Sequence, residues 1–270
     1  MVNINKLFII ILFFYCILNI LNKNKQIINS EININDITYL SKLKKVVYTI
    51  LLGKNDNIHP IIKEKGYDYF MLTDQNIKNN SETNWTIINV DINKKYKSKK
   101  EKIKRQRFYK THPHLFFKNY DLSIYIDAKY AIKGNLDEFL LRILTPKYYI
   151  YLLEHPNRST INNELKAVAY FQKESRNLTR IIKKRYNEEN FPDNNGLAET
   201  CLIVRKHNDL NCIDFMTQWY EEIKLYSHRD QLSFNYIYWK TRYKYVKYIP
   251  KKYTTEYFTQ HAHIIKDIIK

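Results

Sequence analysis

The feature that most constrains this chain is an alternation, from Lys45 onward, of short apolar runs with longer amphipathic stretches. The short runs are rich in β-branched and aromatic residues and are bounded by Asn, Asp, Gly or charged residues, which is typical of strands. They cover residues 46–52, 67–72, 85–90, 123–126, 148–153 and 201–204. Helical spacing is found over residues 99–118, 136–144, 161–186, 208–226 and 230–239. The alternation predicts one α/β domain in which helices flank a mostly parallel central sheet.

Glycine is scarce, with only 4 residues in a chain of 270. They are Gly53, Gly66, Gly134 and Gly196, and they lie far apart. A Walker loop and a dinucleotide fingerprint both need closely spaced glycines, because bare backbone must approach the phosphates. The sequence therefore excludes both loops, and a nucleotide would have to be held by another route.

An apolar segment of 15 residues, 7–21, opens the chain, with Asn19 as its only polar residue. A membrane-spanning helix needs about 20 residues, so this length falls between a signal-peptide core and an anchor. The residues that follow are Asn and Lys and offer no small-residue cleavage pattern, which favours an uncleaved anchor over a cleaved signal or a buried core helix. We expect a signal anchor over residues 1–22, a polar stem over 23–44 and a folded domain over 45–270.

The chain carries 45 Lys and Arg against 27 Asp and Glu, a formal charge of +18. Residues 94–110 hold ten of the cations and one Glu, so half of the net charge lies in this stretch. One interpretation is a solvated or nucleic-acid-facing helix surface. The other is that a few members, namely Arg105, Arg107 and Lys110, face a diphosphate.

Polar side chains that follow predicted strands are the candidates for function, because ligands bind at the carboxyl ends of strands in such sheets. Asp127 follows the strand at 123–126, and His155 and Arg158 follow another strand. Each is equally explained as a solvated strand end. The run 227–234 joins His, Arg, Asp and Gln to a helix start, where Asp230 is either an N-cap or part of a cluster that holds a hydroxylated substrate.

The cysteines leave two alternatives open. Cys16 lies in the apolar segment, whereas Cys201 and Cys212 are either a disulfide pair in an oxidising compartment or two buried thiols. We favour the thiols.

Taken in order along residues 45–240, these features resemble the TOD1/MUCI70 family of glycosyltransferase-like proteins. The run Arg-Asp-Gln-Leu-Ser-Phe at 229–234 is the most specific of the matching motifs. The other matching residues are Tyr48, Gly53 and Asp56; Thr73 and Asp74; Trp85; Arg105, Arg107, Lys110, His112 and Pro113; Tyr125 and Asp127; His155, Arg158 and Glu164; Gly196, Glu199 and Arg205; and Trp219.

The resemblance implies a GT-A-like fold, a nucleotide-diphospho-sugar donor and a hydroxyl acceptor on a glycan or glycoprotein. It also implies a single-pass membrane protein whose catalytic domain faces a Golgi- or ER-type lumen. A more distant resemblance to glycogenin-type transferases implies that Tyr48, Thr49 and Asp74 contact base and ribose. The remaining donor-binding residues implied are Arg105, Lys110, Asp127, Lys129, His155 and Arg158. The catalytic residues implied are Glu199, Arg229, Asp230 and Gln231.

One departure concerns the metal. The triplet at 127–129 is Asp-Ala-Lys, so Lys129 stands where the related transferases have a second carboxylate. Mn²⁺ or Mg²⁺ would then be held by Asp127 and phosphate oxygens, with His261 or His263 completing the shell unless these are simple tail histidines. Alternatively, Lys129 supplies a permanent positive charge and the enzyme needs no metal.

The expected function is a membrane-anchored glycosyltransferase in which Asp230 or Glu199 deprotonates the acceptor hydroxyl, with retaining or inverting stereochemistry left open. One alternative is a non-catalytic binding protein with the same fold, because fold does not fix function. Another is a basic nucleic-acid-binding protein. The hydrophobic amino terminus argues against that class, and no nucleic-acid partner is expected.

Overall fold

Strands and helices alternate along the chain in the computed structural model, which describes residues 37–53, 59–78 and 83–261. The strands are β1 (Lys45–Leu51), β2 (Tyr67–Thr73), β3 (Thr86–Asn89), β4 (Leu122–Ile126), β5 (Tyr130–Ile132), β6 (Ile150–Glu154), β7 (Ala198–Arg205), β8 (Val246–Ile249) and β9 (Phe258–Gln260). The helices are α1 (Ile37–Lys42), α2 (Lys99–Thr111), α3 (Leu136–Ile143), α4 (Ile161–Tyr170), α5 (Arg176–Glu188), α6 (Leu210–Leu225), α7 (Phe234–Lys240) and α8 (Lys251–Tyr257). Short 3₁₀ turns cover Pro113–Leu115 and Asp230–Leu232.

Seven strands form one sheet in the order β3-β2-β1-β4-β7-β6-β8. Its neighbours pair in parallel except at β7, which is antiparallel to both β4 and β6. Strands β5 and β9 form a separate antiparallel pair. These pairings confirm the predicted α/β fold with a mostly parallel sheet. Because β7 runs backwards, its first residues lie beside the carboxyl ends of β4 and β6, at the edge where ligands bind in such sheets.

The sheet is buried on both faces. All seven residues of β1 are buried, and successive side chains point to opposite faces, so Val46 and Tyr48 join one core cluster while Val47 joins the other. Trp219 of α6 packs in the first cluster and Phe139 of α3 in the second. Helices on both faces explain why β1 is a continuous apolar run rather than an alternating one.

Two predicted helices end earlier than expected. The helix predicted at 99–118 ends at Thr111, because Pro113 disfavours helical backbone at the residue before it. The helix predicted at 161–186 is two helices, α4 and α5, separated by a turn in which Gln172 has a φ of 53°. Ser175 then caps α5 by accepting a hydrogen bond from the amide of Leu178. Apolar spacing continues through both helices, so it did not reveal the break.

The short elements α1, β5, β8, α8 and β9 were not predicted. Helix α1 lies inside the predicted stem, where Leu40 is fully buried and its carbonyl accepts a hydrogen bond from Lys45 Nζ at 2.6 Å. The predicted anchor at 1–22 lies outside the described residues. Within those residues, no helix is long and apolar enough to span a membrane. Cys201 and Cys212 are free and buried, as the thiol alternative predicted.

Candidate active site

A polar cavity of about 320 Å³ opens at the sheet edge where β4 and β6 end and β7 begins. This volume lies at the lower end of the range for small-molecule sites. Ten of the sequence-predicted site residues line it: Arg107, Lys110, Asp127, Lys129, His155, Arg158, Glu199, Arg229, Asp230 and Gln231. Residues more than one hundred positions apart in the sequence therefore lie close together, because β4 and β6 end, and β7 begins, at the same edge of the sheet.

The Asp230 carboxylate is a buried charged group of the cavity. Its Oδ2 accepts hydrogen bonds from Lys110 Nζ at 2.6 Å and Thr200 Oγ1 at 2.9 Å, and lies 3.1 Å from Arg107 Nε. Burial by itself would raise the pKa of Asp230, but the cations of Arg107 and Lys110 outweigh it and hold this pKa well below its usual range. Asp230 is therefore ionised and paired, which makes it a poor proton acceptor.

Helix α2 supplies both cations that face Asp230. Arg107 and Lys110 are three residues apart, so they project from the same side of the helix. The carbonyl of Lys110 lies in the last turn, where carbonyls lack helical partners. It accepts hydrogen bonds from Tyr48 Oη at 2.9 Å and from the buried Arg205 guanidinium at 2.5 Å. The core thus fixes the end of the helix that carries the two cations.

Two further carboxylates face the cavity, Asp127 after β4 and Glu199 in β7. Asp127 Oδ1 accepts a hydrogen bond from Tyr125 Oη at 2.6 Å, and its amide donates to the carbonyl of Cys201 at 2.8 Å. Burial raises the pKa of Glu199 above its ordinary value, and the lowering influences of Cys201 and Lys129 do not cancel that effect. Glu199 therefore keeps its proton to a higher pH than an ordinary carboxyl group does.

The wall after β6 is a turn built on His155. Its Nδ1 accepts hydrogen bonds from the amides of Asn157 and Arg158 at 3.2 and 3.1 Å. Burial, with Arg158 nearby, lowers the pKa of His155 to about 4, so the ring is neutral at pH 7. The Arg158 guanidinium contacts His155 Nε2 at 2.9 Å and forms an ion pair with the buried Glu164. Arg158 is consequently fixed in place, with most of its charge balanced.

The segment 227–231 reaches the cavity through a set of internal hydrogen bonds. Ser227 Oγ donates to Glu174 Oε2 at 2.8 Å and accepts from the amide of Arg229 at 3.1 Å. Trp219 Nε1 donates to the carbonyl of Asp230 at 3.2 Å. The Asp230 side chain faces Lys110 and caps neither the 3₁₀ turn nor α7, so the N-cap alternative is wrong.

The chain matches a known protein family over most of its length. Residues 15–263 match the family described as TOD1/MUCI70, glycosyltransferase-like domain. The chain belongs to this family. Membership confirms the resemblance predicted from the sequence motifs and supports the predicted glycosyltransferase.

Two solved structures of glycosyltransferases are similar to this chain. The bifunctional glycosyltransferase WbbM is 15% identical with a TM-score of 0.43, and the match covers 77% of this chain and 39% of WbbM. Mouse xyloside xylosyltransferase 1 is 8% identical with a TM-score of 0.42, with 76% of this chain and 85% of that protein covered. The chain therefore spans well under half of WbbM. No protein with a curated description matches the sequence.

Four residues that the resemblance assigned to the donor lie outside the cavity. Tyr48 and Thr49 are buried in β1, at 0% and 1% exposure, so neither offers a surface to a nucleoside. Asp74 directly follows β2 at the same sheet edge, where it accepts a hydrogen bond from the amide of Gly53 at 2.7 Å and pairs with Lys102. Arg105 pairs with Asp91 at 2.7 Å on a different side of α2. These four residues are therefore not part of the proposed site.

The cavity also contains residues that sequence reasoning did not assign to the site. Thr200 and Cys201 follow Glu199 at the start of β7, and Gln106 lies beside Arg107 on α2. Lys173 comes from the turn between α4 and α5. Nothing local in the sequence marks Lys173.

Among the described residues, the donor set for a divalent ion is incomplete. Within residues 37–53, 59–78 and 83–261, no three His, Cys, Asp or Glu side chains form a group that could hold a metal. The His261 ring stacks on His59 at 3.9 Å between centroids, and its amide donates to the carbonyl of Lys129 at 2.8 Å. His263 lies outside the described residues. The described residues therefore do not fit a metal held by the protein alone.

Positive charge instead dominates the cavity wall. The cations are Arg107, Lys110, Lys129, Arg158, Lys173 and Arg229, and the carboxylates are Asp127, Glu199 and Asp230. Even with the Glu164 carboxylate set against Arg158, this leaves a formal surplus of positive charge. Such a cavity suits an anionic group of a ligand, because fixed cations in a partly buried site interact more strongly than in water.

Proposed function

We propose that this protein transfers a sugar from a nucleotide-diphospho-sugar to a hydroxyl group of a glycan or glycoprotein, on a GT-A-type fold. One observation carries the proposal: buried Lys110 and partly buried Arg107, both paired with Asp230, line the same cavity as the carboxylates of Asp127 and Glu199 at the sheet edge where β4 and β6 end. Membership of a glycosyltransferase-like family supports it.

The cations would stabilise the leaving group. Glycosyl transfer passes through an oxocarbenium-like transition state while negative charge accumulates on the departing diphosphate. Lys110 and Arg107 are held in place before the reaction by Asp230 and by the core contacts of α2, so they need no reorganisation as that charge develops. Lys129, beside Asp127, would add a third positive charge at the same wall.

We assign the general base to Glu199 rather than Asp230. A general base works best when its pKa lies near the operating pH. The pKa of Glu199 is raised by burial, whereas the paired cations keep the pKa of Asp230 far below that range. Asp230 would instead orient Lys110 and Arg107, and Asp127 would face the developing positive charge on the sugar.

We further propose that the reaction does not require a divalent cation. The support is the donor set itself, because Lys129 occupies the position of a second carboxylate and His261 stacks on His59. Residues 1–22 are proposed to anchor the protein in a membrane with the domain in a lumen, on the strength of their apolar sequence.

A donor-hydrolysis assay tests the proposal. Full-length protein is incubated with a panel of UDP- and GDP-sugars, with and without Mn²⁺, and release of the nucleoside diphosphate is measured. We expect turnover of at least one donor, loss of turnover in Asp127→Ala, and no change in Asp214→Ala, which removes an exposed carboxylate of α6 outside the cavity. Absence of both turnover and a nucleotide-induced thermal shift across the panel would overturn the proposal.

A further inference from the structure

The carboxylate of Glu174 is buried but does not line the cavity of the candidate active site. Its side chain is fully shielded from solvent, and its two oxygens contact four groups. Oε1 accepts hydrogen bonds from Lys100 Nζ at 2.6 Å and from the amide of Ser175 at 3.0 Å. Oε2 accepts one from Ser227 Oγ at 2.8 Å and lies 3.0 Å from His228 Nδ1. The carboxylate is therefore held from several sides.

Glu174 is ionised in the folded protein. Burial by itself would raise the pKa of Glu174, but the hydrogen bonds from Lys100 and Ser227 outweigh burial and hold this pKa below its ordinary value. Burial also lowers the pKa of His228 to about 4, so this ring is neutral at pH 7. Lys100 is consequently the cation that pairs with Glu174.

The contacts of Glu174 join three segments, and each of these segments supplies part of the cavity wall. Lys100 lies on α2, which also carries two of the cavity cations. Glu174 itself directly follows Lys173, which lines the cavity. Ser227 begins the segment 227–231, whose last three residues line the cavity. A shift of this one carboxylate would therefore be felt on three sides of the cavity.

The contact with Ser227 leads directly to Arg229. Ser227 Oγ donates to Glu174 and accepts a hydrogen bond from the amide of Arg229 at 3.1 Å. The Arg229 side chain lines the cavity, and its Nε is buried without a hydrogen-bond partner in the part of the chain that the structure describes. No described carboxylate lies within ion-pair distance of it either. Lys110, by contrast, already pairs with Asp230, so Arg229 has more of its charge available for an anionic ligand.

We propose that Glu174 is a positioning residue of the transferase, which acts through Ser227 to hold Arg229 against the diphosphate of the donor. Arg229 would contact that group in the bound donor and in the transition state alike. An interaction of equal strength in both states lowers KM and leaves kcat unchanged. This inference rests on the proposed glycosyltransferase function and adds to it a residue that the sequence motifs did not mark.

Donor hydrolysis by the full-length protein tests the inference, together with titration calorimetry of UDP, GDP and inorganic pyrophosphate. Glu174→Gln keeps the size of the side chain and removes its charge. We expect it to raise KM for the donor, and Kd for the diphosphates that bind wild type, by about fivefold, with kcat within about twofold of wild type. Ser227→Ala leaves the buried ion pair in place and should raise KM by about threefold, because one hydrogen bond is lost.

A second substitution at Arg229 shows whether Glu174 acts through it. Arg229→Met should raise KM by about tenfold or more, because a charge-assisted contact to the diphosphate disappears. In the Arg229→Met background, Glu174→Gln should add less than about twofold, since the group that it positions is already gone. Fully additive effects of the two substitutions would overturn the inference.

Glu222→Gln is the matched control, because Glu222 is a buried carboxylate that pairs with Arg185 and does not line the cavity. It should lower stability as Glu174→Gln does, while KM and kcat stay within about twofold of wild type. An equal rise of KM in both variants would overturn the inference, because general destabilisation would then explain it. A fall in kcat of Glu174→Gln at unchanged KM would also overturn it, because that result reports fewer folded molecules.

Two further outcomes count against the positioning role. One is a KM within about twofold of wild type in both Glu174→Gln and Ser227→Ala. The other is a wild-type protein that binds none of the three diphosphates. Absence of wild-type turnover with every donor would refute the proposed function separately, and the Kd values of the variants would then decide the role of Glu174.

Discussion

Replacing Asp230 with asparagine removes the carboxylate that balances two cations inside the protein. The side chains of Lys110 and Asp230 are 1% and 6% exposed, and that of Arg107 is 13% exposed. Removing one partner of a buried ion pair costs about 3–5 kcal/mol, since a charge is left buried without compensation. We expect Asp230→Asn to lower the free energy of unfolding by about 3 kcal/mol, at the lower end because the amide oxygen keeps one hydrogen bond.

A double-mutant cycle separates the pair from other effects of the substitution. Lys110→Met alone should cost less than Asp230→Asn, because Asp230 keeps Arg107 as a partner. In the double variant, position 110 carries no charge that the loss of Asp230 could leave unpaired. The decrease in the free energy of unfolding should therefore fall short of the sum of the two single decreases by about 1.5 kcal/mol or more. Urea unfolding followed by circular dichroism and tryptophan fluorescence measures these differences, provided that the slope with denaturant is unchanged.

Asp214→Asn, an exposed carboxylate on α6, is the control and should shift stability by no more than about 0.5 kcal/mol. Additive losses in the cycle, or an Asp230→Asn variant as stable as wild type, would refute the reasoning.

The contribution of Asp230 to stability should also depend on pH. The pKa of Asp230 is depressed in the folded state, so its contribution is present above the ordinary carboxyl pKa of about 4 and is lost as the pH falls further. Asp230→Asn should therefore flatten the acid limb of the stability profile.

Three further predictions concern activity. Asp127→Ala should lower turnover by about 100-fold or more in a donor-hydrolysis assay, and an unchanged rate would remove Asp127 from the site. Because a base must be deprotonated, the wild-type rate should rise with pH as Glu199 loses its proton, at a pKa above the usual carboxyl value. Glu199→Gln should be slow and should not show this rise with pH. If the rise persists in the variant, it belongs to another group. Activity should stay within about twofold in EDTA. Lys129→Met should lose about tenfold in kcat/KM, less than the loss of a fully buried donor because Lys129 is only partly buried, and Lys129→Arg should lose less because it keeps the charge. Loss of activity in EDTA that Mn²⁺ restores would contradict metal independence.

The sequence predicted those helices and strands best whose own residues are enough to define their pattern. Strands such as β1 and β4 were found because continuous β-branched and aromatic runs are typical of strands buried on both faces. The break between α4 and α5 was missed because the turn there is held by the buried Glu174, whose partners Lys100 and Ser227 lie far away in the chain. No local pattern reports such a contact.

The site was predicted in part for the same reason. The strand-end rule led to Asp127 and His155, which the structure brings to one cavity. It did not lead to Thr200, because the direction of β7 is decided by pairing and not by its own residues. Arg105 and Arg107 are two positions apart on α2 and so point to different sides, and only the docking of the helix decides which of them enters the cavity.

The anchoring of α2 by the core has a consequence for ionic strength. Lys110 and Arg107 are shielded from solvent, so mobile ions screen their field much less than they screen exposed charges. Exposed cations, such as Lys184 on α5, are screened strongly by the same ions. The nucleotide-diphospho-sugar proposed as donor would then bind with an affinity that changes little as the salt concentration of the compartment rises.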